Sequence, residues 1–266
     1  MKLCIIIPAY NEEKRIGRTL DAFSVYFNGL LNMRKINDYE ILVVINGTKD
    51  KTEDVVKEKQ KKNRKIEYIN FKKGGKGFAI TEGFRLSLKE DFDNVGFVDA
   101  DLATTPEEYW KLISNMGNYD GSIANRYLKG SKITPPHSFR RLFVSRVYNF
   151  IVRALFLLPY SDTQCGAKVF RKKVIERIFD ELLLTNWAYD VNILHLCKKH
   201  GFKIKEVPTD WIEIGGGHLN VNRASIQMLF AITQLRILKS QFKGALRVIS
   251  PVIDFIYHKV LLFTLH

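Results

Sequence analysis

The 266-residue chain predicts an α/β fold, a mostly parallel, doubly wound sheet flanked by helices. Three observations predict it. Short apolar runs alternate with helix-periodic stretches through the first two thirds of the chain. A polar or glycine-bearing loop follows each of the first four runs. No internal repeat or low-complexity segment breaks the alternation.

Residues 3–7 read as a buried strand. Asn11 then offers an N-cap with Glu12 and Glu13 in the first turn, and Ile16, Leu20, Phe23, Phe27 and Leu31 follow along one helix face. Residues 40–45 form the second strand, 50–61 a charged surface helix and 66–70 the third strand. The turn 73–77 opens a helix over about 78–88, and strands near 95–98 and 121–125 are separated by a helix starting around Pro106. Two stretches differ. Residues 139–158 read as one apolar helix carrying Arg140, Arg141, Arg146 and Arg153 without an acid. Residues 222–266 hold six Lys/Arg against Asp254 alone. The expected organisation is a domain over 1–221 and a basic amphipathic helical tail over 222–266, suited to a membrane interface or to a partner subunit.

Charge narrows the partners. Forty-two Lys+Arg against 28 Asp+Glu give a net charge of +14, which favours polyanions such as nucleic acid, phosphorylated small molecules or anionic head groups. No nucleic-acid-binding motif is present, so nucleic acid is not an expected partner. Cys4, Cys165 and Cys197 lack metal-ligand spacing and suit a reducing compartment. The run 3–7 is too short for a secretory leader and is cut by Pro8. No uncharged apolar run approaches the roughly 18 residues that span a bilayer. The expected location is cytoplasmic, peripheral to a membrane.

The loops carry the chemistry. Pro8-Ala9-Tyr10-Asn11-Glu12-Glu13, Asn46-Gly47-Thr48, Lys73-Gly74-Gly75-Lys76-Gly77 and Asp99-Ala100-Asp101 end four successive strands. In a parallel sheet they share the carboxyl edge, where ligands bind. Such an edge can hold a nucleotide: an aromatic ring beside a base, glycines for close approach, a lysine for phosphate and carboxylates for a cation. Alternation along an extended backbone puts Asp99 and Asp101 on one side, where they can share a hard divalent ion with substrate phosphates. By itself such a pair is more often a solvated acidic loop, and the other loops overturn that reading. Arg141 and Ser145, four apart, share one helix face; with Arg126 they form a plausible phosphate clamp.

Further motifs follow in order: Asn125-Arg126-Tyr127, Arg141-x-x-x-Ser145-x-x-x-Asn149, Asp162-Thr163-Gln164-Cys165-Gly166-Ala167-Lys168, Trp187-Ala188-Tyr189-Asp190-Val191 and Glu206-Val207-Pro208-x-x-Trp211. With the four loops, they make residues 3–220 resemble the inverting family 2 glycosyltransferases of the GT-A fold, within them the polyprenyl-phosphate sugar synthases. The resemblance implies transfer of one sugar from a nucleotide-sugar, UDP-glucose first and GDP-mannose second, to dolichyl or another polyprenyl phosphate at the cytosolic membrane face. It implies Mg2+ or Mn2+ on Asp99 and Asp101, with Asp101 the more direct ligand. Donor contacts fall on Pro8, Tyr10, Glu12, Asn46, Lys76, Asp99 and Ala100, and acceptor-phosphate contacts on Arg126, Arg141 and Ser145. Asp101, Arg141 and Asp162 stand as the catalytic set. Asp162 either orients the acceptor or acts as a base, or forms an Asx turn with Thr163. Asp190 organises the site or caps a helix. His218, after three glycines, closes over the diphosphate or is a surface histidine. Homo-oligomerisation stays open. A glycan hydroxyl acceptor, and a non-catalytic nucleotide-sugar or membrane-binding module, are the competing readings.

Overall fold

In the computed structural model, which describes residues 1–184, 187–214 and 221–239, the first apolar run becomes the centre of the sheet. Strand β1 (Lys2–Ala9) is buried from Leu3 to Ala9 because both of its faces are covered. Its side chains alternate between two cores: Leu3, Ile5 and Ile7 pack with Phe23, Phe27 and Leu112 on one face, and Cys4 and Ile6 pack with Ile80, Phe84 and Phe97 on the other.

The remaining elements follow in chain order. They are α1 (Ile16–Asn32), β2 (Asp38–Asn46), α2 (Thr52–Lys62), β3 (Ile66–Phe71), α3 (Lys76–Ser87), β4 (Asn94–Phe97) and α4 (Pro106–Ser114). Then come β5 (Gly121–Asn125), β6 (Lys132–Thr134), α5 (Phe139–Phe156), β7 (Lys168–Arg171) and α6 (Lys172–Ile178). The described part closes with α7 (Tyr189–Lys199), β8 (Ile204–Pro208), β9 (Asp210–Ile212) and α8 (Val221–Leu238).

The main sheet has the order β3-β2-β1-β4-β7-β5-β8. All neighbours are parallel except β7, which runs antiparallel to both β4 and β5. The chain winds from β1 outward through β2 to β3, then returns to place β4 on the other side of β1. That reversal makes the β1/β4 boundary a topological switch point, where a crevice opens beyond the strand ends. A small parallel sheet, β6-β9, lies apart.

Two sequence expectations are corrected. Helix α1 begins at Ile16, not after Asn11. Asn11 adopts a left-handed backbone (φ 53°), and its side chain accepts the Lys49 amide at 2.9 Å. Its oxygen therefore ties the first loop to the second and is not free to cap. Asp99 and Asp101 also lie beyond β4, with Ala100 and Asp101 in a turn, so the turn and not strand alternation sets their directions. The helix at Pro106 starts as the sequence implies: Thr105 caps it by accepting the Glu108 amide.

Helix α8, which opens the basic tail, docks onto the domain through buried Ile232 and Leu235, part of the same core as Val152 and Phe156 of α5. Among the described residues no helix is long and apolar enough to cross a membrane.

Candidate active site

Four loops converge at the carboxyl ends of β1–β4. Asn46 closes β2 and is buried; its amide donates to the Ala9 carbonyl at 3.0 Å and accepts the Gly75 amide at 2.8 Å. The residue expected at a nucleotide base thus clips three loops together. Gly47 makes this clip fit: it holds φ 64°, and a Cβ there would stand 3.1 Å from the Gly74 Cα. Pro8 is buried within β1, and Tyr10, just past it, is 53% exposed, leaving its ring available to a ligand.

Acids gather at the switch point. Asp99 pairs with Lys76 at the start of α3, and Asp101 accepts the Ala103 amide at 2.9 Å. Burial and then the charge of Asp99 push the Asp101 carboxyl above its ordinary range. Glu12 is likewise raised, by burial first and with Asp101 and Asp99 contributing, although Arg15 grips it through two 2.7 Å hydrogen bonds. Burial works against the Lys76 ammonium, yet Asp99, Asp190 and Asp101 together raise it above the usual lysine value. Ala100 is buried, its carbonyl accepting the Thr19 hydroxyl at 2.7 Å.

Gly166 supplies the space Asp99 needs. A Cβ at Gly166 would lie 1.8 Å from Asp99 Oδ2, so the carboxylate rests where any side chain would stand. Among the described residues no cluster of three His, Cys, Asp or Glu side chains is arranged to hold a metal alone. Two mutually repelling carboxylates at a sheet edge do fit a hard cation that completes its shell with phosphate oxygens and water.

Behind this edge, Lys168 of β7 is fully buried, its ammonium 2.5 Å from Asp190 and 2.6 Å from the Cys165 carbonyl. Asp190 therefore neutralises a buried lysine; Ala188 holds the cap position of α7. Sequence reasoning assigned Lys168 no role. Within the Cys-Gly-Ala-Lys run, a charge directly before the apolar pair Val169-Phe170 was the one available signal.

A second cluster gathers just past β5. Asp162 is fully buried and takes a fork from Arg126 at 2.7 and 2.9 Å, plus the Arg126 amide at 3.2 Å. Burial drives the Asp162 carboxyl upward, but the Arg126 charge and hydrogen bonds outweigh it and hold the acid below the ordinary aspartate range. Its Asx-type contact goes to the Gln164 amide at 3.3 Å, and Thr163 bonds instead to Asn149 at 2.9 and 3.0 Å. Asn149 thereby anchors α5 against this loop. One turn before it, Ser145 shares a hydrogen bond with the Tyr127 hydroxyl. One turn earlier again, Arg141 pairs with Glu213. The Arg126 guanidinium lies 5.5 Å from the rings of both Tyr127 and Trp211. Arg126, Arg141 and Ser145 are thus brought to one cluster, in which Glu213 and His137 escaped the sequence reading and Tyr127 was read only as part of a motif. His218 lies outside the described residues.

A profile of Glycosyl transferase family 2 matches residues 4–179. The chain belongs to this family. A dolichyl-phosphate beta-glucosyltransferase of Dictyostelium discoideum is 32% identical over 244 residues, 88% of this chain and 73% of that protein. The human protein of the same name is 30% identical over 229 residues, 82% of this chain and 69% of its own length. Among solved structures, the glucosyl-3-phosphoglycerate synthase of Mycobacterium tuberculosis, in complex with Mn2+, UDP and glucosyl-3-phosphoglycerate, superposes with a TM-score of 0.64 at 16% identity, covering 88% of this chain and 79% of that one. The transferase therefore has the GT-A fold, and the acidic switch point and the arginine-bearing cluster sit on a glycosyltransferase framework.

Proposed function

We propose that this transferase moves glucose from UDP-glucose to the phosphate of dolichyl or a related polyprenyl phosphate, at the cytosolic face of a membrane. The observation that carries the reading is the position of Arg141 and Ser145 on α5, the helix whose outer face exposes Phe139, Phe143 and Phe150. A phosphate clamp on an apolar, arginine-bearing helix suits an acceptor with an ionic head and a hydrocarbon tail. The names of the curated relatives support the same acceptor and sugar.

The chemistry follows from the side chains. The exposed Tyr10 ring flanks the base, and the glycine loop admits the diphosphate close to backbone. Asp99 and Asp101 would hold Mg2+ or Mn2+, whose charge would offset that of the departing diphosphate. Lys76 moves from Asp99 onto a phosphate oxygen. Arg141 and Ser145 aim an acceptor phosphate oxygen at the anomeric carbon; the new C–O bond forms as the bond to the diphosphate breaks on the opposite side, inverting configuration. A phosphate already ionised near neutral pH needs little help from a base. Asp162, buried and committed to Arg126, acts by holding that arginine in place.

The test is label transfer. With UDP-[14C]glucose, dolichyl phosphate and Mn2+ or Mg2+, label should appear in a mild-acid-labile lipid. Asp101→Ala should cut the rate by roughly a hundredfold or more, as expected for loss of transition-state charge stabilisation. Label found only on a soluble glycan would exclude the lipid acceptor.

A further inference from the structure

The acceptor cluster is already filled by a side chain of its own. Helix α5 has no acidic residue in its first turn, so its amino end, capped by Ser138, is a ready site for an anion. Arg141, in that first turn, points its guanidinium at an anion, and the anion is the carboxylate of Glu213. The other carboxylate oxygen lies 3.4 Å from His137 Nε2. That histidine side chain is only 4% exposed, packs edge-on against Trp211 and, among the described residues, has no hydrogen-bond partner at either ring nitrogen. Arg141, His137 and the helix end thus form a built anion site.

Glu213 is held there by its backbone. It follows β9, its amide donates to the Thr134 carbonyl of β6 at 2.8 Å, and the preceding Ile212 amide donates to the Ala103 carbonyl at 2.9 Å. Ala103 lies two residues beyond Asp101, so the same strand end touches the donor loop and the acceptor cluster. The Glu213 side chain itself is 28% exposed and can rotate away without disturbing these backbone bonds.

We propose that Glu213 is a specificity-determining residue: an internal carboxylate that occupies the acceptor-phosphate position between Arg141 and His137 and must be displaced by the incoming phosphate. The inference rests on Arg141 belonging to the acceptor site. Its consequence is discrimination. A free phosphate ion gains Arg141 only by releasing Glu213, exchanging one charge-assisted pair for another with little net gain. A polyprenyl phosphate brings the additional burial of its chain, so it can displace the carboxylate where the bare ion cannot.

The experiment measures competition between inorganic phosphate and a polyprenyl phosphate acceptor in detergent, using the metal-loaded enzyme and label transfer from the nucleotide-sugar. Wild type should be weakly inhibited by inorganic phosphate. Glu213→Gln should be inhibited competitively with the acceptor, at roughly tenfold lower phosphate concentration. Its acceptor KM should fall while kcat moves by no more than about threefold. Glu213→Ala, which also frees Arg141, should behave alike and serves if the glutamine variant folds poorly. Unchanged phosphate inhibition in both variants, or a raised acceptor KM, would overturn the proposal. Arg141→Gln separates this from the underlying reading: it should raise the acceptor KM and remove the phosphate sensitivity of the Glu213→Gln background. If Arg141→Gln leaves the acceptor KM unchanged, the acceptor site lies elsewhere, whatever Glu213 does.

Discussion

Two residues show how little the type of a side chain says about its work in this site. Asp162 has the chemistry of a base, but a base needs an accessible lone pair, and this carboxylate is fully buried against the Arg126 fork. Removing one partner of a buried pair costs about 3–5 kcal/mol. Asp162→Asn should therefore lower stability to urea by that order, with turnover falling as Arg126 loses its anchor. A variant that melted like wild type yet lost turnover would restore the base. Gly166 is the converse, a residue without functional groups that decides where one goes. Because its missing Cβ is the space taken by Asp99 Oδ2, Gly166→Ala must push that carboxylate aside. The displaced atom is the end of a flexible side chain, so the melting temperature should change little while metal-dependent donor binding weakens severalfold, read by titration of UDP-glucose with Mn2+. A large loss of stability with intact donor binding would contradict the geometry.

At the scale of elements, α5 carries two functions along one inner face, divided between its amino and carboxyl halves. In the carboxyl half Tyr148, Asn149, Val152 and Phe156 face the core, and in the amino half Arg141 and Ser145 meet Glu213 and Tyr127. The exposed remainder includes Phe139 at 84% and Phe150 at 69%. Exposed aromatic rings among arginines are what an interfacial helix presents to lipid. Replacing Phe139, Phe143 and Phe150 together by Ser should reduce co-sedimentation with anionic vesicles by about tenfold or more, since each buried aromatic contributes roughly 1.5–3 kcal/mol. Transfer to a short-chain acceptor in detergent should persist. If vesicle binding is unchanged, this face meets something other than lipid. The small β6-β9 sheet is the other decisive element, because its register carries Glu213 to Arg141.

Over the whole molecule, carboxyls at both ends of the sheet are raised above their ordinary range by burial. Glu40, near the amino end of β2, is pushed up to about 7 by burial first, then by Glu67 and Glu90. An unfolded glutamate titrates near ~4.3. Between those values the native state holds more protons than the unfolded chain, so stability falls as pH rises through the window. The contribution is on the order of 1 kcal/mol or more, and Glu40→Gln should flatten the decline between pH 5 and 8 in urea melts. An equally steep decline in that variant would place the titration elsewhere. At the carboxyl end, burial and then the acids crowded about the switch point raise Asp101 and Glu12.

Much of this architecture is legible in the linear chain because it rests on local periodicity. The apolar run 3–7, the Pro106 helix start and the basic helix from Phe139 each follow from neighbours within a few residues. The acidic pair, the glycine loop and the Arg141/Ser145 spacing are legible for the same reason. Tertiary structure alone decided the partners. Asn11 and Asn46 became clips between loops, Asp190 the counter-charge of Lys168, and Asp162 the anchor of Arg126. Each is a polar group whose hydrogen bonds or charge must be satisfied once burial removes water, by whatever side chain the sheet order brings near. That order, with β4 returning beside β1 and β9 crossing to the first turn of α5, links residues some 70 positions apart, such as Arg141 and Glu213. No periodicity records such a distance, so the sequence by itself determined the chemistry available at the sheet edge, and the fold determined which groups are free to use it.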